Sequence, residues 1–217
     1  MDSIGGVGVL DKIMILIESV QAQGGATLSE LVDASGIPRA TAHRLATALE
    51  EHGLLRRDET GRYRLGIALV ALGQAAGKDF PLATRARPVL EDLQRATSES
   101  VQFYVREGAH RRCLISLEAT HGLRWIVPEG KRMPLEKGSA GRVLAGAKVG
   151  SNGWIESVEE REVGVASVSA PVIGELGKVI GAVCVSGPLE RLSRQPGRKY
   201  GKQVVATAHK LEAAINL

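Results

Sequence analysis

Apolar residues recur every three or four positions from Val9 to Val20, with Ile13, Leu16 and Ile17 completing the stripe before Gly24-Gly25. That spacing predicts an amphipathic helix with one buried face. A shorter stripe of Leu28, Leu31 and Val32 follows a capping Thr27 or Ser29 and stops at Gly36. Pro38 then suits the first position of a third helix, where a missing N–H costs nothing. Along that helix Leu45, Ala48 and Leu49 are expected in the core, with Arg39, Ala40, His43, Arg44 and Thr47 on other faces. Beyond it, residues 54–58 and 62–65 read as two short strands joined by a turn around Thr60-Gly61.

The helical period returns in residues 67–79, an Ala/Leu-rich segment, and again after Pro81 through residue 100. Strand patterns follow at 101–107, 112–118 and 123–127, then a helix from Ser139, strands at 154–157, 164–170 and 179–186, and a closing helix over 199–215. Three helices and a hairpin make a winged helix-turn-helix domain over residues 1–66. A linker helix occupies 67–80, and 81–217 form a second domain, α+β with an antiparallel sheet.

Composition changes this picture little. A chain of 217 residues with 44% hydrophobic and 24% charged residues has the makings of an ordinary globular protein. It contains no long apolar run, and its first residues lack a signal peptide's basic flank, so a cytoplasmic location without membrane contact is expected. Cys113 and Cys184 are too few for a disulfide framework and are read as buried thiols. The five histidines have no metal-ligand spacing, so neither metal nor cofactor is expected. The net charge of +4 is unevenly placed: residues 1–80 carry eight Lys/Arg against ten Asp/Glu, the remainder twenty against fourteen. Total charge therefore argues nothing for nucleic acid at the front end, and individual side chains must carry that argument.

The third helix supplies it. Its first two turns present small and basic residues, which let a helix sit deep in the major groove while Arg or His reaches base edges and phosphates. The candidates for DNA contact are Thr27, Arg39, Thr41, His43 and Arg44, with Arg62 and Arg64 from the Arg-rich hairpin gripping the phosphate backbone beside the groove.

The stretch "TLSELVDASGIPRATAHRLATALEEHGLLRRDETGRYRLG" resembles the DNA-binding half of the isocitrate lyase regulator (IclR) family of bacterial transcription factors. "SESVQFYVREG", "CLISLEATHGLRWIVPEGKRMPLEKGSAGRVLAG", "EREVGVASVSAPV" and "GAVCVSGPLERL" resemble its ligand-sensing half, in the same order. "GVGVLDK" and "PRATAHRLATALE" look closest to actinobacterial members that control amino-acid (leucine) biosynthesis genes. The resemblance implies a GAF- or profilin-like effector domain, a homodimer or dimer of dimers, and a ligand-responsive regulator, a repressor before an activator, on double-stranded operator DNA. One departure stands out: where the family carries a longer run between "GSAGRVLAG" and "GWIESVEERE", this chain has only "AKVGSN".

Gly138 and Ser139 open a helix whose free N–H groups favour an anion. Carried over position by position, the family's effector pocket would be lined here by Trp125, Met133, Ser139, Ala140, Ser157, Ser167, Cys184 and Ser186. Trp125 and Cys184 suggest a ligand with some apolar body, an amino acid or a small organic acid. The rival reading is an enzyme or small-molecule carrier built on the second domain. Against it, no G-x-S-x-G elbow or partner His stands at a recognisable offset.

Overall fold

The computed structural model describes residues 8–79 and 82–215, which fall into two compact units at that break. The first unit holds α1 (Gly8–Gln23), α2 (Leu28–Ser35), α3 (Arg39–Glu51), a hairpin of β1 (Leu55–Arg57) and β2 (Tyr63–Leu65), and α4 (Ile67–Asp79). Helix α2 begins with a reciprocal cap: the Glu30 N–H donates to Thr27 Oγ1 at 3.3 Å and the Thr27 N–H donates to Glu30 Oε2 at 2.7 Å. Gly36 ends it in the left-handed conformation, φ 65°, that glycine adopts without steric cost. Pro38 caps α3 from outside, with ψ at 136°, and is not its first helical residue.

The core of this unit is Leu16, Val20, Leu31, Ile37, Leu55 and Tyr63, with Ala42, Ala46 and Leu49 from α3. The buried face of α3 is thus rotated from the one expected, because the alanines let the helix lie close against α1 and α2 while Leu45 and Ala48 are half-buried. Val9 is corrected too: it is 60% exposed, beside Leu10 and Met14, and contributes nothing to that core. In α4, Ile67, Val70 and Leu72 are exposed as well.

The second unit is built on a six-stranded antiparallel sheet of order β5-β4-β3-β8-β7-β6. Its strands are β3 (Ser100–Glu107), β4 (His110–Leu117), β5 (Arg132–Pro134), β6 (Ile155–Val158), β7 (Val165–Ile173) and β8 (Val179–Pro188). Helices α5 (Leu82–Thr97) and α8 (Pro196–Ile215) cover one face, with a short α7 (Leu189–Leu192) after β8. On that face Val101, Phe103, Val168, Ala170, Val183 and Val185 pack with Leu90, Leu93, Val204 and Leu211. The opposite face is covered by α6 (Ser139–Leu144) and loops. Residues 123–127, expected as a strand, form a loop whose carbonyls bond side chains and not a neighbouring strand. Ser100 Oγ donates to the Trp125 carbonyl and Arg191 Nη1 to that of Leu123, both at 2.8 Å. The place beside β4 goes to β5, which sequence patterning did not find.

Candidate functional site

On the front unit, α3 shows Arg39, Ala40, His43 and Arg44 to solvent, with Thr41 half-buried. Arg39 donates to Ser29 Oγ at 3.0 Å, which steadies it across the turn from α2. Thr27 is committed to its cap. Three of the hairpin arginines bond within their own unit. Arg62 donates to the Gly25 carbonyl and to Glu30 Oε2, at 2.9 and 2.8 Å, and Arg64 donates to Asp58 Oδ2 at 2.8 Å and to the Gly24 carbonyl. Arg57 pairs with Glu50 and stacks on Tyr63. Of the four hairpin arginines, Arg56 is the one left exposed with no ion pair among the described residues.

Asp58 organises the hairpin turn, which sequence reasoning missed although the Asp-x-Thr spacing is a side-chain turn signal. Its Oδ1 accepts from the Thr60 N–H, the Thr60 hydroxyl and the Arg62 N–H, at 3.0, 2.7 and 3.0 Å. These bonds, with Arg64 on the other oxygen, hold its carboxyl well below the usual carboxylate range.

In the second unit a pocket of about 370 Å³, part of it open to solvent, lies between the sheet and the start of α6. Strand registry explains its walls. Ser157 on β6 pairs with Ser167 on β7, Ser167 with Ser186 on β8, and Ser169 with Cys184, so one face of three adjacent strands is lined with hydroxyls and a thiol. The residues between them are the valines and alanines of the helix-covered core. Seven of the eight expected lining residues meet here: Trp125, Ser139, Ala140, Ser157, Ser167, Cys184 and Ser186. Met133 does not line the pocket; it is buried in the adjoining cluster, paired across β5 with Arg111. Ser139 is fully buried and shares hydrogen bonds of 2.8 Å with the hydroxyls of Ser167 and Ser169.

Sequence reasoning missed Tyr104, Arg111 and Arg161, which also line this pocket. Arg111 is 2% exposed, yet among the described residues no carboxylate pairs with it. Its Nη1 donates to the Lys137 carbonyl at 2.8 Å, its guanidinium lies over the Tyr104 ring at 5.3 Å, and its Nε has no partner. Burial, the largest cause, lowers its affinity for its proton. Arg161, from the loop between β6 and β7, stacks on Trp125 at 5.4 Å. The Gly138 N–H, expected to greet an anion, instead donates to Glu160 Oε2 at 3.0 Å, and the other oxygen of that carboxylate pairs with Arg142. The thiols are poor nucleophiles: burial pushes Cys113 up to about 12 and raises Cys184 as well. Among the described residues, no three His, Cys, Asp or Glu are grouped to hold a metal ion, and no helix is long and apolar enough to cross a membrane.

Known proteins bear on both units. The family profile of the IclR helix-turn-helix domain matches residues 9–59, and that of the bacterial transcriptional regulator IclR C-terminal domain matches residues 74–149 and 147–213. The two segments of the second match meet in the loop from α6 to β6, where the chain is short. The HTH-type transcriptional regulator KipR of Bacillus subtilis is 31% identical over 162 residues, covering 74% of this chain and 65% of its own length. The transcriptional repressor IclR of Escherichia coli is 22% identical over 97% of this chain and 90% of its own. A crystal structure of an IclR homolog from Microbacterium hydrocarbonoxydans, complexed with 4-hydroxybenzoate, superposes with a TM-score of 0.77 at 20% identity, covering 95% of this chain and 98% of that one. The chain belongs to the IclR family of bacterial transcriptional regulators, and it is a DNA-binding regulator, not an enzyme.

Proposed function

We propose that the protein is a dimeric repressor whose α3 enters the major groove of a near-palindromic operator and whose second unit binds a small organic acid that alters operator affinity. The observation that carries the effector half is Arg111, a buried cation at the wall of a hydroxyl-lined pocket with no counter-charge among the described residues. A ligand carboxylate supplies the missing partner. Of the two ligand classes expected, the amino acid is disfavoured, because two guanidiniums and no carboxylate line the pocket, so an ammonium group would meet hydroxyls but no counter-charge.

On the DNA side, Arg39, Thr41, His43 and Arg44 read the groove. Arg56 contacts phosphate from the hairpin, whereas Thr27, Arg62 and Arg64 hold α2 and the hairpin in position. The exposed apolar residues of α1 and α4 support a dimer made through the front unit, which gives two heads for two half-sites. Repression is favoured by the several relatives named as repressors. The likeness of "PRATAHRLATALE" to regulators of amino-acid biosynthesis genes supports that regulon class, and the serine-faced antiparallel sheet supports a GAF- or profilin-like sensor. The test is a melting screen of the purified protein against small organic acids, followed by gel shifts on the DNA upstream of its own gene. A ligand at a hundred times its Kd adds about 2.7 kcal/mol of stability, and the same ligand should change operator affinity. A ligand that stabilises the protein yet leaves operator affinity untouched would overturn the coupling.

A further inference from the structure

The pocket carries more positive charge than one carboxylate neutralises. Arg111 and Arg161 both line it, and their side chains converge on one glycine: a Cβ placed on Gly138 would lie 3.0 Å from Arg161 Cδ and 3.5 Å from Arg111 Nη2. Neither guanidinium has an ion pair among the described residues, and no acidic side chain lines the walls. Two acids of the adjoining loop are committed elsewhere, Glu160 to Arg142 and the Gly138 N–H, and Glu159 to Arg194 and the Gly164 N–H. Arg111 keeps an unused Nε at 2% exposure, so the site is built around a charge that no described residue supplies. The remaining wall joins hydroxyls at Ser157, Ser167 and Ser186 to the rings of Tyr104 and Trp125.

Resting on the effector reading above, we infer that the ligand is a small organic dianion, with one negative group on buried Arg111 and the second on Arg161 at the Trp125 side. Two negative charges can come from two carboxylates or from one phosphate monoester, and both would meet guanidinium forks of the same kind.

The test uses the full chain and matched probes: succinate against butyrate, phthalate against benzoate, and phenyl phosphate as the monoester, read by thermal shift and calorimetry. The expected result is that a dianionic probe binds about tenfold or more tightly than its monoanionic partner. Arg161→Met should bring the two within about threefold, while Arg161→Lys keeps most of the preference. Arg111→Met should abolish binding of both classes and raise the melting temperature of the ligand-free protein, because it removes a buried unpaired charge. An arginine with a purely structural role would lower that temperature. Preference for phthalate or succinate assigns the dicarboxylate source, and preference for phenyl phosphate assigns the monoester. Monoanions binding as tightly as dianions, with Arg161→Met indifferent to both, would overturn this inference and leave the acid-binding pocket standing. No response to any probe, with Arg111→Met lowering the melting temperature, would overturn both.

Discussion

Gly141 has no room for a side chain: a Cβ there would sit 2.0 Å from Arg111 Nη1 and 2.4 Å from the Leu135 carbonyl. Neither neighbour can retreat, since Arg111 is buried and the carbonyl is backbone. Gly141→Ala should therefore gain up to about 1 kcal/mol of helix propensity and lose more, roughly 1–3 kcal/mol, to overpacking. A lower melting temperature together with a lost effector response is the expected outcome, and a variant as stable and responsive as the parent would remove Gly141 from the support of Arg111. The pocket serines were legible through the family resemblance, and the structure shows their physical basis: on β7 and β8 they alternate with valine and alanine, which leaves a polar stripe on buried strands. Arg111 was not, because of a bulge. Between β3 and β4 the register passes from Phe103 opposite Ile115 to Tyr104 opposite Cys113, so Leu114 is the extra residue. Strict alternation puts Arg111, Cys113 and Ile115 on one face. The bulge leaves Ile115 with the helix-side core and turns Cys113 into the pocket-side cluster.

At the scale of elements, the hairpin shows how a charge pattern can place a hairpin without separating the arginines that pair inside the domain from the one that stays exposed. Four arginines in nine residues suggest a phosphate grip, but Arg57, Arg62 and Arg64 each meet an acid of their own domain. Arg56→Ala should weaken binding to all DNA sequences and reduce the salt slope by about 1, whereas Arg64→Ala should act mainly by destabilising the hairpin. Equal salt slopes in parent and Arg56→Ala would take that residue off the phosphates. The carboxyl of Asp58 is depressed in the folded state, so its stabilisation is complete at neutral pH and is lost as pH falls from near 4 through its lower folded value. Asp58→Asn should lower the melting temperature at pH 7 and flatten its fall between about pH 4 and pH 2. A fall as steep as in the parent would mean that other carboxylates govern acid unfolding. Helix α8 gives a parallel case in packing: Gly197 and Gly201, one turn apart, form the seat of Trp154, with a Cβ on Gly201 falling 2.5 Å from the indole. Sequence pattern located that helix, but the seat depends on Trp154, more than forty positions earlier in the chain, which a local window does not contain.

For the whole molecule, the decisive quantity is the number of DNA heads held together. One winged helix contacts a single half-site, and specific affinity at physiological salt draws on two joined heads, since the second binding event then becomes intramolecular. The front unit leaves Val9, Leu10 and Met14 of α1 and Ile67, Val70 and Leu72 of α4 in water, with Ile67 76% exposed. Apolar side chains exposed in that number on so small a unit support the dimer proposed above. The helical period of both segments was visible in the sequence, but their exposure was not, because a stripe packed inside a domain and one left in water have the same spacing. Val9, assigned to the core on period alone, belongs to the outer set for that reason. The double variant Leu10→Glu and Leu72→Glu places charges in both faces without touching the domain core or α3. Sedimentation should show loss of the front-unit dimer, and affinity for a two-half-site operator should fall by about 10²–10⁴ while binding to an isolated half-site stays unchanged. If the variant sediments as the parent does and holds the operator equally well, the heads are joined through the second unit, and the apolar faces of α1 and α4 have another partner.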